Sequence, residues 1–265
     1  MKRLLYIFFC LFFLLAALWS GVKLFTALRS FERADESYEE LQQLVTAPTQ
    51  PPSAVAENAV ETLSPETEVP EEQTAEETPA PQSSIDFSAL GEVGGNVVGW
   101  IRISDSRIDY PIAQGEDNVY YLEHLLDGSW NGSGTIFLDY RCPADFSGVH
   151  SIIYGHHMQS GSMFAGLVNY KQQAYFDAHP TAFLGTPLGD YSVEFFSGYP
   201  VDTESTAWEL ALDDPESYEE WVEEAIASSV FDSSVRPQPG ERILTLATCS
   251  YEFEDARFVL HGVIR

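Results

Sequence analysis

Apolar positions fall along the chain in three patterns, and each predicts a different element. Leu4 to Val22 is almost wholly apolar and is bracketed by Lys2, Arg3 and Lys23. The run is close to the ~20 residues that a membrane-spanning helix requires. A cleaved signal peptide has a shorter apolar region, ~7–15 residues, ended by a small-residue site. No A-x-A site closes this run, so it predicts an uncleaved anchor over residues 1–30. Lys23, Arg29 and Arg33 compete with Lys2, Arg3 and the terminal amine, and flanking charge alone does not set its orientation.

From Ile85 onward the pattern is one of short apolar or alternating segments between turn signals: "VVGWIRI", "IDYPIA", "GTIFLDY", "HSIIYGH", "YSVEFFSGY", "RILTLATC" and "RFVLHGVI". Short strands at this spacing predict a mostly β domain, either a sheet closed on itself or a sandwich. The third pattern is helical, in "DDPESYEEWVEEAIASSVF". Asp213 or Asp214 suits its N-cap and Pro215 its first turn, while Tyr218, Trp221, Val222, Ala225 and Ile226 form one apolar stripe. That stripe reads as core packing. Weaker helical patterns cover "EDNVYYLEHLL" and "GSMFAGLVNYK".

Between the anchor and this domain, residues 31–84 carry few apolar residues. Glu32 to Ser84 holds thirteen acidic residues against one basic residue, and Ala47 to Pro81 holds seven of the fifteen prolines. Such a stretch buries too little apolar surface to offset its ordering entropy, which predicts a disordered, self-repelling tether. Its first part, "SFERADESYEELQQLV", has the composition to continue as a short helix. The division is therefore anchor 1–30, tether 31–84 and one folded domain 85–265, a size usual for a single core.

The formal charge of −28 argues against a nucleic-acid partner, since phosphate binding needs clustered Lys and Arg. Residues 85–265 hold 28 acidic and 8 basic residues, and solubility is sufficient reason for that excess. "HH" with scattered Asp and Glu has neither H-E-x-x-H nor paired Cys-x-x-Cys spacing. No metal and no cofactor is expected.

The candidate chemistry lies near the C-terminus. Alternation puts Leu244 and Leu246 on one face of a strand and Thr245, Ala247 and Cys249 on the other. In the next strand Phe258, Leu260 and Ile264 take the core face, so Arg257 points away from it. Seven residues, Ser250 to Ala256, join the two. An antiparallel pair then brings a thiol and a guanidinium together above the sheet. A thiolate is the nucleophile, and a nearby cation favours it and can hold an oxyanion. The leaving group needs a proton donor, most often histidine. Of six histidines, His156 and His157 stand out, because "SIIYGHHM" ends a strand at a glycine, and spacing does not choose between them.

"TLATC" with a following arginine, "IIYGHHMQSGSMFAGL" upstream and "GTIFLDYR" before that together resemble the sortase family, specifically class B sortases. The likeness covers 85–265, and an anchor with a tether fits it. It implies a closed β-barrel of about eight strands with peripheral helices, the helix around Trp221 being the extra one of class B. It also implies catalytic roles for Cys249, His156 and Arg257, with Thr245 and Thr248 lining the peptide groove. The implied reaction is transpeptidation. Cys249 attacks after the threonine of a C-terminal sorting signal on a secreted protein, and the thioester passes to an amine of peptidoglycan or of a pilin lysine. Such an enzyme faces outward, its N-terminus cytoplasmic and its catalytic domain extracellular on the cell membrane. Two other outcomes stay open at this point: a cysteine peptidase passing the acyl group to water, and a surface binding module stapled by a Cys142–Cys249 disulfide.

Overall fold

A computed structural model describes residues 2–46, 83–212, 214–250, 252–253 and 255–265. Its strands are β1 (Val97–Arg102), β2 (Asp109–Gln114), β3 (Ile136–Leu138), β4 (His150–Tyr154), β5 (Thr181–Thr186), β6 (Gly189–Val201), β7 (Arg242–Cys249) and β8 (Arg257–Ile264). The helices are α1 (Lys2–Thr46), α2 (Phe87–Val93), α3 (Gln173–Ala178) and α4 (Pro215–Ser228). The strands close into one barrel in the order β1-β2-β3-β4-β7-β8-β6-β5. Seven of them coincide with the segments anticipated from apolar patterning. β5 does not, because its six residues lie between Pro180 and Pro187 and its apolar positions are few. The two weaker helical patterns condense into 3-10 turns, Tyr120–Leu122 and Ala165–Lys171.

Topology gathers three strand ends at one rim. β4 and β7 are parallel, with Tyr154 beside Ala247, so both finish at the same end of the barrel. β8 runs back antiparallel from that end, its first residue Arg257 opposite Cys249. A parallel pair needs a long crossover, and here the crossover from β4 to β7 contains β5, β6 and α4.

Both faces of the β7–β8 pair are buried. Leu244, Leu246, Phe258 and Leu260 point into the barrel with Trp100, Phe137 and Phe195. Ile243, Ala247 and Val259 point outward beneath Tyr218, Trp221, Val222 and Ala225 of α4. Each large side chain removed from water in this way contributes roughly 2 kcal/mol. α4 begins where its sequence signals place it: the Asp214 carboxylate accepts from the Ser217 amide at 3.0 Å, with Pro215 in the first turn.

α1 runs unbroken across residue 30, where the anchor was expected to end, and its last turns lie on the barrel. Ala34, Tyr38 and Leu41 belong to the main core, the Tyr38 hydroxyl donates to the Gly134 carbonyl, and Gln42 Nε2 donates to the Asp109 carbonyl at 2.8 Å. At the far end of the acidic stretch, Ser83 Oγ donates to Asp190 Oδ1 at 2.6 Å. Residues 47–82, the larger part of the expected tether, lie outside the described residues. Part of the expected anchor, including the side chains of residues 2–8, also lies outside them. Among the described residues no helix is long and apolar enough to cross a membrane, while Phe12, Phe13, Leu15, Leu18, Trp19 and Val22 of α1 are exposed.

Candidate active site

Cys249 and Arg257 are the last register pair of the β7–β8 ladder. Side chains directly opposite on antiparallel strands share a face, so the thiol and the guanidinium stand side by side, as the alternation predicts. Both are half-buried. Arg257 Nη1 donates to the carbonyls of Asp255 (3.0 Å) and Ala256 (3.1 Å), which ties the guanidinium to its own loop. Nε and Nη2 have no protein partner among the described residues.

His156 reaches the same rim from β4 through Gly155. A Cβ on Gly155 would lie 2.3 Å from Ile136 Cδ1 and 2.8 Å from the Phe164 ring, so only glycine lets the chain turn there against the barrel wall. His156 Nε2 bonds the Leu122 carbonyl at 2.7 Å. A carbonyl only accepts, so Nε2 carries the proton and Nδ1 is the free basic nitrogen. Gly134 holds Leu122 in place: at φ +59° it packs against the carbonyl side of Tyr121 and Leu122, where a Cβ would come within 2.5 Å of the Leu122 oxygen. The second histidine behaves differently. His157 Nδ1 donates to the Cys249 carbonyl at 2.9 Å, a contact with the backbone of the nucleophile strand.

Cys249, His156 and Arg257 all line one cleft of about 660 Å³, together with Asn118, Leu122, Phe137, Arg141, Tyr154, Thr203, Trp208, Ala247 and Thr248. Tyr154 and Trp208 form an aromatic wall, their ring centroids 6.3 Å apart. Beneath it lies Asp139, whose side chain is 0% exposed. Its carboxylate accepts from Arg141 Nε (2.9 Å) and Nη2 (2.7 Å), Asn118 Nδ2 (2.9 Å) and the Tyr154 hydroxyl (3.0 Å). Burial alone would raise the Asp139 pKa, but these donors, Arg141 foremost, hold it below the ordinary carboxylate range. Burial and the Asp139 charge push the Tyr154 phenol up, so it stays a neutral donor. One buried anion thus fixes three residues of the cleft wall.

The two threonines part company. Thr248 lines the cleft, although it is 2% exposed and its Oγ1 is buried without a partner among the described residues. Thr245 does not reach the groove expected for it, because period-two alternation from Cys249 puts it under α4 instead. There it is fully buried between two histidines, with Oγ1 at 2.7 Å from His150 Nε2 and 2.7 Å from His261 Nδ1. His150 Nδ1 faces the Glu209 carbonyl at 2.5 Å and must donate to it. One proton order satisfies the chain: His261 Nδ1–H to Thr245, Thr245 O–H to His150 Nε2, and His150 Nδ1–H to Glu209. Both imidazoles are neutral in it, as burial demands; it lowers the His150 pKa to about 4 and that of His261 well below the ordinary value.

Cys142 and Cys249 are both free thiols. Cys142 is buried, its Sγ directed at the His150 carbonyl, and burial raises its pKa. The disulfide of the stapled-module reading is absent between these two residues. Among the described residues no group of three or more His, Cys, Asp or Glu is placed to hold a metal ion. Sequence reasoning missed Asn118, Leu122, Arg141, Tyr154 and Trp208 as parts of the cleft, and Asp139 as the buried anion beneath it. Only "GTIFLDYR" and "IIYGHH" carried a signal for three of them, and the other three come from connections that alternation does not index.

No family model matches the chain. Sortase B of Listeria monocytogenes is 38% identical over 175 residues, 65% of this chain and 71% of that protein. Sortase B of Staphylococcus aureus is 28% identical over 169 residues, 64% of this chain and 69% of that protein. The solved S. aureus sortase B–substrate complex superposes with a TM-score of 0.72 at 23% identity, covering 89% of this chain and 98% of the other, a likeness of fold. A closed eight-stranded barrel with a cysteine at its rim agrees with that kinship, and the chain belongs to the class B sortases, a family of cysteine transpeptidases.

Proposed function

We propose that the protein cleaves a sorting signal near the C-terminus of a secreted protein after threonine and transfers the acyl chain to an amine through a Cys249 thioester. The observation that carries this reading is the register pairing of Cys249 with Arg257 in a cleft that His156 also lines.

The Cys249 thiolate adds to the threonine carbonyl carbon, and Arg257 faces the oxyanion through Nε and Nη2, the atoms its loop leaves free. The C–N bond then breaks as His156, protonated at Nδ1, gives that proton to the departing amine. The thioester remains. An incoming amine adds to it, Nδ1 takes the proton back, and the C–S bond breaks to restore the thiolate and leave a new amide. Peptidoglycan and pilin amines are the acceptors of the right class.

α1 presents Phe12, Phe13, Leu15, Leu18 and Trp19 to the surroundings, which supports a single-pass anchor; its orientation, N-terminus cytoplasmic and barrel extracellular, follows from a reaction whose substrates are secreted. Since the same helix docks on the barrel through Tyr38 and Leu41, it would carry the domain at a fixed orientation. The test of the reaction is a threonine-containing sorting peptide supplied with and without a small amine. The amide product must form only with amine; free acid as sole product at every amine concentration would refute transfer.

A further inference from the structure

The ladder that pairs Cys249 with Arg257 ends at those two residues, and ladder ends fray unless something outside the hairpin holds them. Lys171, last residue of the 3-10 turn Ala165–Lys171, reaches both chains at the pair, one residue beyond it at Ser250 and one rung inside it at Phe258. Its Nζ donates to Ser250 Oγ at 3.2 Å and lies 5.4 Å from the centroid of the Phe258 ring. Ser250 directly follows Cys249, and Phe258 directly follows Arg257. The same ammonium forms an ion pair with Glu252, to which Ser250 Oγ also donates. The Ser250 amide is itself committed to the Ala256 carbonyl at 2.8 Å, and Asp255 takes a left-handed φ of +59° to close the connection.

We propose that Lys171 is a positioning residue for the transfer reaction: it clamps the residues immediately after the nucleophile and the arginine, and so fixes the approach of thiol to guanidinium. The proposal rests on the roles given above to Cys249 and Arg257. Lys171 is absent from the cleft lining and acts only through its neighbours. A small displacement of reacting groups is enough to cost about 100-fold in rate, so removing the clamp acts on kcat. The carboxylate of Glu252 supports the geometry. Burial would raise its pKa, but the Lys171 and Ser250 donors bring it down to about 2, and it stays an anion wherever the enzyme works.

The experiment compares Lys171→Met, Lys171→Arg and Cys249→Ala in the full-length protein, measuring kcat and KM for peptide transfer and the thermal midpoint. The proposal expects Lys171→Met to lower kcat about 10-fold or more, with KM within about twofold and the midpoint nearly unchanged. Lys171→Arg, which keeps the charge and can stack on Phe258, recovers most of kcat. An unchanged kcat in Lys171→Met, a rise in KM alone, or a loss fully explained by a lower midpoint would each overturn it. Activity persisting in Cys249→Ala would instead overturn the reaction on which it rests.

Discussion

Cys249 and Arg257 face each other across the last rung of the β7–β8 ladder, with seven residue pairs in unbroken register behind them. Strand pairing rather than loop geometry therefore sets their relative position. Arg257→Ala should lower kcat/KM for transfer by about 100-fold or more while circular dichroism shows the barrel intact, since the side chain lies at the edge of the sheet. Arg257→Lys should rescue little, because an ammonium cannot donate in two directions from one plane. Near-wild-type transfer by Arg257→Ala with an intact fold would remove the guanidinium from the mechanism.

Asp139 orients three side chains of the cleft wall at once. Asp139→Ala leaves the Tyr154 hydroxyl and Asn118 amide without their partner, at a cost of about 2–3 kcal/mol in stability. KM for the peptide should rise as well, because Tyr154, Asn118 and Arg141 lose their common anchor. Denaturant unfolding and transfer kinetics on the same samples check both; an unchanged KM would mean that the wall contributes nothing to peptide binding.

The buried histidine chain gives stability a pH dependence of predictable sign. His150 has a folded pKa of about 4 against 6.5 in the unfolded chain, so between these values the unfolded state binds the extra proton. Its contribution is complete above pH 6.5 and is lost as pH falls toward 4, to a total of roughly 3 kcal/mol. His261 acts in the same direction. The depressed carboxyls of Asp139 and Glu252 lose their contribution only further into acid, below the ordinary carboxylate pKa, so the window from pH 6.5 to 4.5 isolates the imidazoles. The thermal midpoint should fall across it, and His150→Gln should flatten the slope. An equal slope in that variant would contradict the assignment.

How much of this was legible beforehand depends on what each residue's position answers to. The alternation in "ILTLATC" and "RFVLHGVI" placed Cys249 and Arg257 on one face correctly, because period two is a property of the strand itself. The same alternation put Thr245 on the Cys249 face but could not show that α4 covers that face four rungs down, which is a tertiary fact. β5 was unreadable because prolines bracket a short run. Asp139 was invisible as the support of the cleft wall because its importance lies in partners from three separate segments. "SYEELQQLV" has helical composition, yet nothing local says that Tyr38 and Leu41 dock on the barrel.

That docking changes what the acidic stretch can do. Tyr38 and Leu41 are 4% and 2% exposed, so Tyr38→Ala with Leu41→Ala should destabilise the full-length protein in detergent by about 2–4 kcal/mol. Deleting residues 56–75, by contrast, removes none of these buried contacts and should leave the midpoint nearly unchanged. Thermal midpoints of the two variants separate the cases. A midpoint unaffected by the double alanine change would show that α1 is not part of the folded body.

The most direct measurement is the intact mass of the full-length protein mixed with a threonine-containing sorting peptide in the absence of amine. The account predicts an adduct equal to the acyl portion of the peptide, mapped to Cys249, absent in Cys249→Ala and discharged as amide when an amine is added. Turnover with no adduct at Cys249, or with an adduct on Cys142 instead, would contradict it.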